Sequence, residues 1–253
     1  MHGYPVWFKL ATDDLSRAGA FYAHVLGWRI ADSGMAGLAY HLAHGEGGLA
    51  AGLTGGNGMP GGWTLYVGVD DADGAASAIA AAGGRVLHGP ADIPGTGRFA
   101  LAADPQGVRF GILRPDPMDR GDAARAFDQQ RAGHGNWTEL TTPDPEAALR
   151  FYAALFGWEK GQAMDMGAMG TYRIFRHDGA DIGGAMGLGD GGQARWLVYF
   201  GVNGVNDAAA RIADAGGTVR HGPSPVPGDA HILIATDPHG AWFAVVGPLE
   251  TVP

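Results

Sequence analysis

A chain of 253 residues, 46% apolar and 17% charged, is globular and long enough for two cores of ordinary domain size. Its formal charge of −9 and singly scattered Lys and Arg offer no basic stripe for a phosphate backbone, which excludes nucleic acid as the expected partner. The absence of cysteine removes disulfides, thiolate catalysis and Cys-ligated metal, and no run reaches the roughly 18 apolar residues of a membrane span. Met1 to Leu10 shows no basic-then-apolar leader pattern, so a cytoplasmic location off the membrane is expected.

In chain order, Val6 to Ala11 alternates like a strand, with Trp7 and Lys9 on one face and Phe8 and Leu10 on the other. Asp13-Asp14 then caps a helix whose apolar stripe is Leu15, Ala18, Phe21, Tyr22 and Val25, stopped by Gly27. Strands are predicted at 28–31, 38–43 and 49–53. After the loop TGGNGMPGG the order begins again, with a strand at 63–69, a helix from Asp70 or Asp71 to Ala82, and strands at 85–87, 99–102 and 108–113. Each half is therefore two β-α-β-β-β modules. Arg114 to about Gly135 is polar and bracketed by proline, and reads as a linker with a helical turn at 123–130. The remaining chain is predicted as strands at 137–141, 158–160, 171–176, 182–186, 196–202, 218–220, 232–235 and 242–246, with helices at 145–156 and 206–215.

The second half rewrites the first. WFKLATDDLSRAGAFYAHVLGW, Trp7 to Trp28, returns as WTELTTPDPEAALRFYAALFGW, Trp137 to Trp158, at an offset of 130. Later motifs recur at an offset of 133, including Trp63 with Trp196, His88-Gly89-Pro90 with His221-Gly222-Pro223, and Asp104-Pro105 with Asp237-Pro238. A period this long marks a duplicated domain rather than a stacked array. Domains are drawn at 1–114 and 136–253, joined by the linker 115–135.

A strand, an Asp-capped helix ending in FY-x4-GW, three strands, and the same module again closing on DP-x-G resembles the vicinal oxygen chelate superfamily of glyoxalases, extradiol dioxygenases and bleomycin-resistance proteins. The GG-x-V-x-HGP-x-D-I-P-G-x-GRFA stretch is similar to the tandem glyoxalase-like proteins labelled as hydroxylases in bacteria. The resemblance implies an α+β fold of two glyoxalase-like domains, each a pair of modules forming a half-open barrel with helices outside. It also implies metal ligands on first and last strands, at places that here hold Trp7, Trp63, Trp137 and Trp196, then Gly111, Ala244, and residues near Ala51 and Gly184. None of these side chains binds a metal. No cofactor is therefore expected.

Four tryptophans at those places read either as barrel plugs or as an aromatic lining for a planar or cationic small molecule. Two residues beyond each opening Trp come Lys9 and Glu139, and a charge there is costly unless paired, ligand-bound or wetted. Glu139 is the expected general base or ligand anchor, with His231 or Tyr172 beside it. Arg98 takes the place equivalent to His231, and Arg98 or Arg109 suits a ligand carboxylate or phosphate, against an ordinary surface salt bridge. His88 and His221 read as loop residues. His41 and His44 point to opposite strand faces. Met164, Met166 and Met169 form either a lid or simple packing.

The leading expectation is a metal-independent small-molecule-binding protein of the sequestering type, with Trp7, Lys9, Trp63 and Arg98 serving one pocket. Trp137, Glu139, Tyr172 and Trp196 serve the other. The rival is an enzyme, a lyase, isomerase or oxygenase, using Glu139 as base or a relocated metal site. Expected partners are a small molecule and, at most, a second copy of the chain. The charge difference between Lys9 and Glu139 points to two unlike pockets, with the second as the working one.

Overall fold

A computed structural model describes residues 1–35, 37–55, 61–116, 126–167, 170–189 and 192–251. The first copy runs β1 (Pro5–Thr12), α1 (Leu15–Leu26), β2 (Arg29–Asp32), β3 (Tyr40–Gly45), β4 (Gly48–Gly55), β5 (Gly62–Gly68), α2 (Ala72–Ala81), β6 (Arg85–Ile93), β7 (Gly97–Ala103) and β8 (Arg109–Pro115). The second runs β9 (Gly135–Thr141), α3 (Pro145–Phe156), β10 (Glu159–Asp165), β11 (Thr171–His177), β12 (Ala180–Met186), β13 (Arg195–Gly201), α4 (Val205–Asp214), β14 (Thr218–Val226), β15 (Ala230–Thr236) and β16 (Trp242–Gly247). The class is α+β, four β-α-β-β-β modules in series. Strand order is the same in both sheets, β2-β3-β4-β1-β5-β8-β7-β6 and β10-β11-β12-β9-β13-β16-β15-β14. In the second module of each copy the first and last strands run parallel and the rest antiparallel, as in the first.

Local chemistry explains the helix ends. Asp14 accepts from the Arg17 amide and Asp144 from the Ala147 amide, and both helices stop at a glycine with φ 71°, Gly27 and Gly157, a conformation that favours residues without a Cβ. The edge strands β6 and β14 extend well past the predicted 85–87 and 218–220. Register shifts beside His88 and His221 absorb the Gly-Pro pairs, and an edge strand loses no internal ladder bond to a proline. The helical turn predicted over 123–130 lies partly outside the described residues, and its described part makes an isolated bridge from Phe127 to Gly135.

Close packing groups the chain into two compact units. One is Met1–Trp7, Thr64–Ala124 and Trp137–Leu197; the other is Phe8–Trp63, Arg125–Asn136 and Val198–Pro253. Each unit thus takes material from both copies. In the first, α2 and α3 cover a core of Phe110, Phe151, Tyr152, Phe156, Trp158, Phe175 and Trp196, with the Trp158 and Phe175 rings stacked at 4.5 Å. In the second, α1 and α4 cover Phe21, Tyr22, Trp28, Trp63, Phe200 and Phe243.

Buried Tyr and Trp need partners for their polar tips, and the repeated motifs supply them. The Tyr152 hydroxyl donates to Asp104 Oδ2 at 3.1 Å and accepts from Trp196 Nε1 at 3.2 Å. In the other unit the Tyr22 hydroxyl donates to Asp237 Oδ2 at 3.1 Å and accepts from Trp63 Nε1 at 2.9 Å. Burial first, and then the facing carboxylate, push both phenols well above their ordinary pKa. The Trp of each GW pair donates to a glycine carbonyl ahead of the other copy's opening strand, Trp158 to Gly3 at 2.6 Å and Trp28 to Gly133 at 2.7 Å. The FY, GW and DP-x-G motifs are thus the two halves of reciprocal links, and they serve the core.

Candidate functional site

Strand alternation on β9 sends Thr138 and Leu140, both fully buried, toward the helices and Trp137 and Glu139 to the opposite face. In the parallel ladder Glu139 lies beside Gly184 of β12. The ring of Tyr172, from β11, lies directly over that glycine; a Cβ on Gly184 would come within 2.2 Å of its Cε1 and Cζ. Gly184 is therefore what lets Tyr172 reach Glu139. The phenol oxygen accepts from Trp137 Nε1 at 2.8 Å and donates to the Glu139 carboxylate. Burial, reinforced by the Glu139 charge, holds the Tyr172 pKa well above its usual value, so the phenol keeps its proton.

Arg195 opens β13 with its Nε on the Gln193 carbonyl at 3.2 Å, and burial lowers its pKa while the Glu139 charge opposes that shift. Met164 of β10 stands opposite Tyr172 in register. The result is a carboxylate 9% exposed, hydrogen-bonded by the Tyr172 phenol, within the field of an arginine, and flanked by an indole. Such a group accepts further N–H or O–H donors well.

The first copy carries the same scaffold with the charge reversed. Lys9 lies beside Gly52 of β4, and the Tyr40 hydroxyl of β3 sits 1.9 Å from where a Cβ on Gly52 would be. Gly52, rather than Ala51, is thus the residue on this face, a one-residue correction to the expected place. Burial alone lowers Lys9 to about 8.

Other expected site residues go elsewhere. Trp63 and Trp196 do not line the face that carries Lys9 or Glu139; both point into the helix-side aromatic cores with their N–H groups on Tyr22 and Tyr152. The reason is parity, since Leu65 and Val67, or Val198 and Phe200, occupy the same buried face, while Tyr66 and Tyr199 take the other. Trp7 packs against Val6, Tyr66 and Leu113, with Phe99 and Leu101 nearby. Arg98 is held in a surface pair, Nε and Nη2 on Asp73 at 2.7 and 2.9 Å and Nη1 on Asp92 at 3.0 Å. That pairing is the ordinary salt bridge and leaves no fork for a ligand carboxylate. His231 shares its strand face with Leu233 and Ala235, both fully buried under the helices, so it does not stand on the face of Ile232 and Ile234. Arg109 and His88 are exposed. Exposed His221 contacts the Ser224 hydroxyl at 3.1 Å. Met169 lies outside the described residues.

Sequence reasoning missed Gly184 and Gly52 as space-makers. The signal available was glycine in the middle of a strand, which marks close approach of another group.

A family model described as the Glyoxalase/Bleomycin resistance protein/Dioxygenase superfamily matches residues 5–112 and 135–245. The chain belongs to this superfamily. It is 32% identical over 254 residues to "Putative glyoxylase CFP32" of Mycobacterium bovis, spanning 97% of this chain and 95% of that one. It is also 32% identical over 277 residues to the anthracycline biosynthesis protein DnrV of Streptomyces peucetius, spanning 99% and 95%. Among solved structures, the Mn(II)-bound glyoxalase from Novosphingobium aromaticivorans superposes with a TM-score of 0.69 at 16% identity, covering 99% of this chain and 84% of that one. That likeness shows the shared fold.

Superfamily membership raises the question of a metal, and the residues at the expected ligand places do not fit one. The ligand places hold indoles, glycines and the alanine Ala244, two of the indoles point to the other face, and Tyr66 and Tyr172 fill the space a side chain at Gly111 or Gly184 would need, each 2.2 Å from where its Cβ would be. Among the described residues no group of three or more His, Cys, Asp or Glu is placed to hold an ion. Among the same residues, no helix is long and apolar enough to cross a membrane.

Proposed function

We propose that the protein is a metal-independent binder of a planar small molecule, with Glu139 as the anchor that accepts a ligand N–H or O–H and Trp137 as the flat apolar contact. The observation that carries this reading is the Trp137–Tyr172–Glu139 chain of hydrogen bonds, which pre-positions a largely buried carboxylate without neutralising it. The Streptomyces relative's role in anthracycline biosynthesis supports a polycyclic aromatic as the ligand class. A second reading, catalysis with Glu139 as general base, rests on the same carboxylate, part of whose acceptor capacity the phenol already occupies.

Titration with an anthracycline aglycone, followed by tryptophan fluorescence, tests both. Binding is expected in chelator-treated protein, with Glu139→Gln weakening it about tenfold, the worth of one hydrogen bond to a charged group. Unchanged affinity in Glu139→Gln, or binding that vanishes with chelator and returns with metal, overturns the reading. Ligand turnover lost by orders of magnitude in Glu139→Gln favours the enzyme instead.

A further inference from the structure

Lysine occurs only twice in the chain, at Lys9 and Lys160. Lys160 is an exposed residue whose ammonium pairs with Glu146. Lys9 differs in every respect. It stands on β1 between two fully buried residues, Phe8 and Leu10, and projects to the opposite face, beside Gly52. Because Gly52 has no side chain, the Tyr40 hydroxyl comes down onto β4 next to the lysine. Leu42, which pairs with Gly52, supplies an apolar neighbour. Among the described residues, β3 and β4 bring Tyr40 to this face as a titratable group, with His44 further along β3 and none from β4.

We propose that Lys9 is an amine site that captures small aldehydes as an imine, with the Tyr40 hydroxyl as the acid beside it. The binding reading for Glu139 concerns the other copy, and either can fail without the other. In the capture step the Nζ lone pair adds to the carbonyl carbon to give a carbinolamine. Tyr40 protonates the departing hydroxyl, which leaves as water, and the proton that Nζ gives up restores the phenol. One C=O and two N–H bonds are exchanged for one C=N bond and water, with no oxidation or reduction. Partial burial supports the chemistry, since it brings Lys9 to about 8 and leaves about a tenth of it as free amine at pH 7. An ordinary lysine has on the order of 1 in 3,000.

The test incubates the full chain with benzaldehyde and sodium cyanoborohydride at pH 7 and maps benzylated peptides against time. Lys9 is expected to be labelled at least tenfold faster than Lys160, with Tyr40→Phe slowing Lys9 several-fold and leaving Lys160 unchanged. Lys9→Arg should abolish the fast adduct in a protein whose circular dichroism is that of the wild type. Labelling of Lys9 no faster than Lys160, or none at Lys9, overturns the proposal. Because the first comparison uses wild-type protein, misfolding of a variant does not obscure it.

Discussion

Replacing Tyr152 with Phe removes one oxygen from a fully buried residue and leaves the ring in place. That oxygen makes two bonds, accepting from Trp196 Nε1 and donating to Asp104 Oδ2. Both partners are buried, Trp196 5% and Asp104 2% exposed, so neither finds water when the hydroxyl goes. A neutral hydrogen bond is worth about 1 kcal/mol and one to a charged group about 1.5–3, so Tyr152→Phe is expected to cost about 2.5–4 kcal/mol. Asp104 Oδ1 keeps its two backbone donors, Gln106 and Val108, which limits the loss to one side of the carboxylate.

The cost depends on pH, with a definite sign. Burial raises the Asp104 pKa above its ordinary value against the pull of those donors, so the folded state holds this proton to higher pH than the unfolded chain does. Stability from this group is therefore full below about pH 4 and falls as pH rises through the folded pKa. Losing the phenol raises that pKa further, and the penalty of Tyr152→Phe should grow from pH 4 to pH 7. Urea unfolding at the two pH values measures it. A loss under about 1 kcal/mol at pH 7, or a loss that shrinks with rising pH, refutes the account. Tyr22→Phe removes the equivalent link to Asp237 and Trp63, and should cost less at pH 7 because Trp63 is only half-buried and its N–H reaches water more readily.

Gly184→Ala drives a Cβ into the Tyr172 ring, 2.2 Å from its nearest atoms, and should cost about 1–3 kcal/mol while separating Tyr172 from Glu139. A melting temperature within a degree of wild type, with ligand affinity intact, would show that the ring moves freely. Lys9 makes the opposite pH statement to Asp104. Its folded pKa of about 8 lies below the ordinary 10.5, so the unfolded chain binds the extra proton and stability rises between those values. The rise amounts to about 3 kcal/mol at most. Lys9→Met should flatten this limb of the stability profile, and an unchanged slope in the variant counts against burial as the cause.

Much of the fold is legible along the chain because its causes are local. Asp14 and Asp144 cap helices three residues away, Gly27 and Gly157 end them, and the duplication announces two copies of the same module. Alternation also separates Lys9 and Glu139 from Phe8 and Leu140 without reference to any long-range contact. What alternation does not give is the parity of one strand relative to another, because a one-residue slip inverts every side chain. Trp63 and Trp196 therefore look like lining residues in the repeat and turn out to be core, and His231 falls on the buried side of its strand. The tyrosines of the FY pairs find carboxylates 215 and 48 residues away, contacts that no spacing rule encodes. The site itself depends on such an event: a glycine on one strand leaves room for a tyrosine from the next, and their meeting turns Glu139 from an isolated charge into a held one.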